Sequence, residues 1–209
     1  MIKKSIIFFV IVFVSFFIYQ KKFKNTNLEI WDLVPAKSVM IIEINDPLDK
    51  WNKFSSSVKE DQFRDFRKLI DKNISELNSF LNNKLNVLVD NNNLIVSVSK
   101  TSKENFDLLF TSNSKNLDFQ YVLKKAKDSL SFDITTRDFN DEKIYDFSDW
   151  TNFFSVVVLN NFISVSKNTL LIEDVIRTSQ NKNLNFKNIN EYLFNQVMVQ
   201  NDFGNIFLN

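Results

Sequence analysis

An α+β domain carried behind a transmembrane helix is the architecture that the sequence predicts, and three observations predict it. A Phe-rich apolar run near the amino terminus is bracketed by lysines. Residues 57–82 repeat apolar side chains at helical spacing, and several short β-rich runs are joined by Asn-containing turns without regular β-α-β alternation. The expected fold is an N-terminal transmembrane helix followed by a mixed, mainly antiparallel sheet with hairpins and packed amphipathic helices. Its expected divisions are a signal anchor at 1–24, a linker at 25–36 and an extracytoplasmic domain at 37–209.

The first element is "MIKKSIIFFVIVFVSFFIYQKKFK". From Ser5 to Tyr19 only Ser5 and Ser15 interrupt the apolar run, and a helix of that length covers roughly 22 Å at the usual rise per residue. That lies between a signal-peptide core and a full span. The flanks decide the reading, because a cleavable signal ends in small residues whereas this run ends in Ile18, Tyr19, Gln20, Lys21 and Lys22. Tyr19 suits the headgroup layer, and the flanking lysines can reach outward to lengthen the span. A retained anchor meeting the lipid bilayer through residues 5–20 is therefore expected. The basic residues balance across the run, so export of the C-terminal part follows from the basic start ahead of a single apolar helix. With no cysteine, lipid attachment at cysteine is excluded.

After the linker, "LVPAKSVMIIEIND" reads as a turn and a strand, closed by Asp46-Pro47. Leu48, Trp51 and Phe54 fit one short helix. Ser57 and Glu60 then form a capping box ahead of Phe63, Phe66, Ile70, Ile74, Leu77 and Leu81, which makes 57–82 the clearest helix. Its apolar stripe suits docking on the domain's own sheet, and contact with another envelope protein is the alternative use. Two hairpins are expected in "LNVLVDNNNLIVSVSK" and "FFSVVVLNNFISVSK", since Asn tolerates the left-handed backbone of tight turns. Further expectations are a strand at Phe106–Thr111, a helix at Leu117–Ser129, a hairpin at Phe132–Phe147 and a helix at Thr169–Ser179 capped by Asn168. A short helix at Asn188–Gln196 and a strand at Gly204–Leu208 complete the order.

Composition excludes several chemistries. The chain has no histidine and no cysteine, which removes imidazole bases and thiolate nucleophiles. One glycine cannot supply a P-loop or a dinucleotide fingerprint. Setting aside Lys3, Lys4, Lys21, Lys22 and Lys24 leaves 21 basic against 25 acidic groups, a net of −4. Nucleic acid is therefore not an expected partner, because it demands a clustered positive excess.

The N-terminal anchor, "LVPAKSVMIIEIND" with the early Trp51, and "FFSVVVLNNFISVSKNTLLIEDVIRTSQ" together touch about a third of the chain. In that layout the sequence resembles an uncharacterised domain-of-unknown-function family of membrane-anchored bacterial envelope proteins. The resemblance implies fold and location and carries no catalytic motif. Members are commonly longer, which implies that these residues correspond to an N-terminal portion or a shortened version, truncated at its C-terminal end.

Candidate chemistry is sparse. Four S-x-x-K pairs occur, Ser56/Lys59, Ser97/Lys100, Ser112/Lys115 and Ser164/Lys167, but the S-D-N and K-T-G partners of a serine acyl-enzyme are missing. The stretch "RDFNDEKIYDFSDW" gathers Asp138, Asp141, Glu142, Asp146 and Asp149, which suit a hard cation or paired carboxylates on one reading and a solvated hairpin on the plainer one. Trp31, Trp51 and Trp150 could stack on a sugar or peptide, and core packing suits Trp51 better. No residue is assigned as catalytic, cofactor-binding or metal-ligating, and no cofactor is expected. The expected function is a non-enzymatic, single-pass envelope protein of the cytoplasmic membrane that acts through protein contacts. The alternative is a carboxylate-based hydrolase or ligand-binding module using Asp138, Asp141 or Glu142.

Overall fold

A computed structural model describes residues 28–45, 64–80, 93–103, 105–115, 117–129, 132–194 and 204–209. A 3-10 turn at Ile30–Leu33 leads into β1 (Ser38–Asn45), followed by α1 (Arg64–Phe80), β2 (Asn93–Lys100), β3 (Phe106–Asn113) and α2 (Phe119–Ser129). Then come the meander β4 (Asp133–Phe139), β5 (Glu142–Ser148), β6 (Phe153–Leu159) and β7 (Phe162–Ser166). The chain closes with α3 (Thr169–Gln180), a 3-10 turn at Lys182–Leu184, α4 (Phe186–Ile189), α5 (Glu191–Phe194) and β8 (Gly204–Leu208).

All eight strands join one sheet in the order β4-β5-β6-β7-β3-β2-β1-β8. Every pairing is antiparallel. Tight turns enforce this in the meander: Asn140 and Asp141 both take positive φ (48° and 67°) between β4 and β5, and Asn160 (53°) does so between β6 and β7. Two long crossings set the remainder. β3 returns through α2 to the far edge as β4, and β7 returns through α3, α4 and α5 to the opposite edge as β8.

Strand alternation gives the sheet two covered faces. Ile42, Ile44, Leu94, Val96, Val98, Phe110, Val156 and Val165 face α1 and α2, which contribute Ile70, Val122 and Ala126. On the other face Leu109, Ile144, Val157 and Leu159 receive Leu171, Ile172, Val175 and Ile176 of α3. Beside them Ile41, Ile95 and Phe207 receive Val34 and Phe186, with Trp31, Leu193 and Phe194 packed against the group.

The expected fold class is corrected on two counts. First, the expected mixed, mainly antiparallel sheet with packed amphipathic helices is a single eight-stranded antiparallel sheet with few helices among the described residues. Each crossing sets its strand down beside an antiparallel neighbour, so no parallel pair forms among the described residues. Second, among the described residues no helix is long and apolar enough to cross a membrane, so the transmembrane helix of the expected fold has no counterpart there. α1 shows the reason: its inner Ile70 is buried while Lys68, Asp71 and Lys72 are exposed. The anchor expected at 1–24 lies outside the described residues, as does the short helix expected around Trp51.

Other boundaries shift. Both edges of β2 are taken, by β1 and β3, so β2 is not the return arm of a hairpin built on "LNVLVDNNN". Within the expected linker Leu33 and Val34 are buried, and Asn185 forms an isolated bridge with Pro35. The helix expected at Asn188–Gln196 is two four-residue pieces, α4 and α5. The lone glycine, Gly204, has φ +152°, and a Cβ there would lie 1.7 Å from the Glu43 carbonyl oxygen.

Candidate functional site

One end of the sheet carries three chain reversals, and short-range hydrogen bonds explain their shape. The Ser148–Phe153 pairing leaves residues 149–152 as the link between β5 and β6. Asp149 opens that link, and its carboxylate organises it. Asp149 Oδ1 accepts from the backbone N–H of Thr151 (2.7 Å) and Asn152 (2.6 Å) and from the Thr151 hydroxyl (3.0 Å). Asn152 Nδ2 donates to Oδ2 at 3.1 Å, and the Asp149 N–H donates to the Asn152 carbonyl at 2.9 Å. An Asx turn of this kind is the local bonding that Asp prefers at loop starts. The Thr151 N–H first, then the Asn152 side chain, lower the Asp149 carboxyl to a pKa of about 2. Near neutral pH it is thus an anion committed to its loop.

The residue that this turn presents is Trp150, whose side chain is wholly in solvent at 104% relative exposure. Phe153, next to the turn, is also exposed. Pairing of Ser155 with Ser166 brings the end of β7 to the same end of the sheet, and there α3 begins with Leu170 exposed. Pairing of Leu109 with Ser166 brings the start of β3 there as well, with exposed Phe106. Asp107 secures these reversals to one another: its Oδ2 accepts from Thr101 Oγ1 (2.6 Å) and from Asn168 Nδ2 (2.7 Å). Asn168 in turn caps α3, its Oδ1 accepting from the Leu170 N–H at 3.0 Å. The end of the sheet is therefore a set of carboxylate-fixed turns from which an indole projects.

The acidic residues of "RDFNDEKIYDFSDW" take separate places. Asp138 and Asp141 are exposed on the β4–β5 hairpin, and Glu142 is raised above the usual carboxylate range by burial and then by the adjacent Asp141 charge. Asp146 instead accepts from Arg137 Nε at 3.1 Å and from the Ser155 hydroxyl. Arg137 also donates to Glu173 Oε1 at 2.9 Å and to the Thr169 hydroxyl, so it bolts α3 to β4 and β5. Arg177 extends the seam to Asp174 and Glu173 and lies 4.8 Å from the Phe139 ring centroid. Among the described residues no group of three acidic side chains could hold a metal ion.

The Ser-Lys pairs are likewise separated. Ser97 is buried and Lys100 exposed, as three residues along a strand require. Ser164 bonds to Thr111 at 2.9 Å while Lys167 pairs with Glu76. Ser112 is buried and Lys115 exposed; Ser56 and Lys59 lie outside the described residues. Of the tryptophans, Trp31 packs edge-on against Phe194 (4.7 Å) and Phe207 (5.4 Å), and Trp51 lies outside the described residues. Sequence reasoning missed the Arg137 seam. Its only sequence signal was an arginine amid alternating polar residues, which does not reveal a helix from 32 residues further on.

No family model matches the chain, and no curated protein or solved structure matches it either.

Proposed function

We propose that this chain is a non-enzymatic binding domain that acts through protein contacts, and that the Trp150 end of the sheet is its contact surface. The observation that carries the reading is the pairing of a fully solvated indole with a turn held by six hydrogen bonds to or from Asp149. An exposed tryptophan gains most from burial against a partner, and a prefixed turn loses little conformational freedom on binding. Exposed Phe153 and Leu170 extend the apolar character around it. The proposal puts the domain on the outer side of the cytoplasmic membrane, a reading supported by the basic and apolar pattern of residues 1–24.

Two experiments test it. Affinity capture of the tagged full-length chain after mild crosslinking in cells is expected to retain a stoichiometric protein partner that Trp150→Ala loses. Because the indole touches solvent alone, that substitution should leave stability within about 0.5 kcal/mol of the parent. Identical captured sets from both proteins contradict the reading. For the address, protease added to spheroplasts is expected to digest the domain, and full protection contradicts that part.

A further inference from the structure

β8 closes the sheet on one side: β1 pairs with it, and among the described residues no strand lies on its other edge. The Asn209 N–H donates to the Val39 carbonyl at 3.1 Å, on the β1 side. Backbone groups of successive strand residues point to alternate edges. Asn205 and Phe207 therefore share the direction of Asn209, and Gly204, Ile206 and Leu208 turn their N–H and C=O groups outward.

The two edges of the sheet differ in chemistry. β4 carries Asp133, Arg137 and Asp138 with exposed Thr135 and Thr136, the charged and polar dressing that discourages a further strand. β8 reads Gly-Asn-Ile-Phe-Leu, without charge or proline, and leaves Ile206 and Leu208 exposed at 50% and 66%. An undressed edge of this kind is a template for another strand.

We propose that β8 pairs antiparallel with β8 of a second copy of this chain, across a twofold axis at Ile206. The strand is complementary to itself in that register. Ile206 lies opposite its own copy, and Leu208 lies opposite Gly204, which has no side chain to meet it. Every outward backbone group of Gly204, Ile206 and Leu208 then finds a partner, and no two like charges meet. The contact is isologous and closes as a dimer with one continuous sheet.

The absence of cysteine from the chain allows a direct test. In the full-length protein, Ile206→Cys sets two thiols across the axis, on residues whose Cα atoms would be about 5.5 Å apart. A short bismaleimide is expected to convert this variant to a species of twice the chain mass, while Thr136→Cys on the β4 edge stays at single mass. Ile206→Lys puts like charges face to face and is expected to abolish the co-purification of differently tagged copies that this pairing predicts for the parent protein. Single-mass Ile206→Cys, coupling to a species of another mass, or equal crosslinking from Thr136→Cys overturns the proposal.

Discussion

Ser97 and Ser164 occupy equivalent places in the two Ser-Val-Ser-Lys strands that flank β3, yet their hydroxyls fare differently. Ser164 shares a hydrogen bond with Thr111, whereas the Ser97 Oγ is buried with no partner among the described residues. A buried hydroxyl without a partner costs about 1–3 kcal/mol, so Ser97→Ala is expected to be neutral or to stabilise by about 1 kcal/mol. Ser164→Ala strands the Thr111 hydroxyl and should destabilise by about 1–2 kcal/mol, and denaturant midpoints distinguish the two. Asp149 gives a pH-dependent counterpart. Its folded pKa of about 2 lies below the ordinary value of 3.8, so its support of the turn is present above 3.8 and is lost as pH falls through about 2. An NMR titration should place the carboxyl midpoint near 2, with faster exchange of the Thr151 and Asn152 amides in the same range. A midpoint near 3.8 would mean that the turn is not bonded as described.

At the scale of elements, Arg137 decides how α3 sits. Its guanidinium meets Asp146 on β5 and both Glu173 and Thr169 on α3, and the two carboxylates are mostly withdrawn from water, at 15% and 16% exposure. Arg137→Met keeps the aliphatic stem, removes the guanidinium from Asp146 and leaves Glu173 with Arg177 alone. It should cost about 1–3 kcal/mol in urea unfolding, and a change under 0.5 kcal/mol would show that the seam is mere surface contact. The elements that local chemistry controls were legible. Asn168 as the α3 cap, the Asn160 turn, the β4–β5 hairpin and the strand at Gly204 all follow from propensities within a few residues. Neighbours chosen by long crossings were not. Nothing near "NNNLIVSVSK" says that its strand lies between β1 and β3, and an apolar strand beside an Asn-rich turn looks the same whether it folds back locally or pairs with distant chain. The exposed status of Trp150 was hidden for a related reason, since aromatic residues at strand ends serve cores and contacts alike.

For the whole molecule, the antiparallel sheet carries helices on both faces. The covered faces are filled by three buried clusters, and exposed Trp150, Phe153 and Leu170 stand at one end of the sheet, where α3 begins. An end surface built from fixed turns can bind without refolding the domain, so contact and stability are separable properties. The most direct measurement puts a photo-reactive residue at position 150 of the full-length chain in cells, and at exposed Lys143 on the same hairpin strand as the control. Covalent adducts of discrete mass are expected from position 150 and none from 143. No adduct at 150, or the same adducts from both positions, would contradict a contact surface at Trp150.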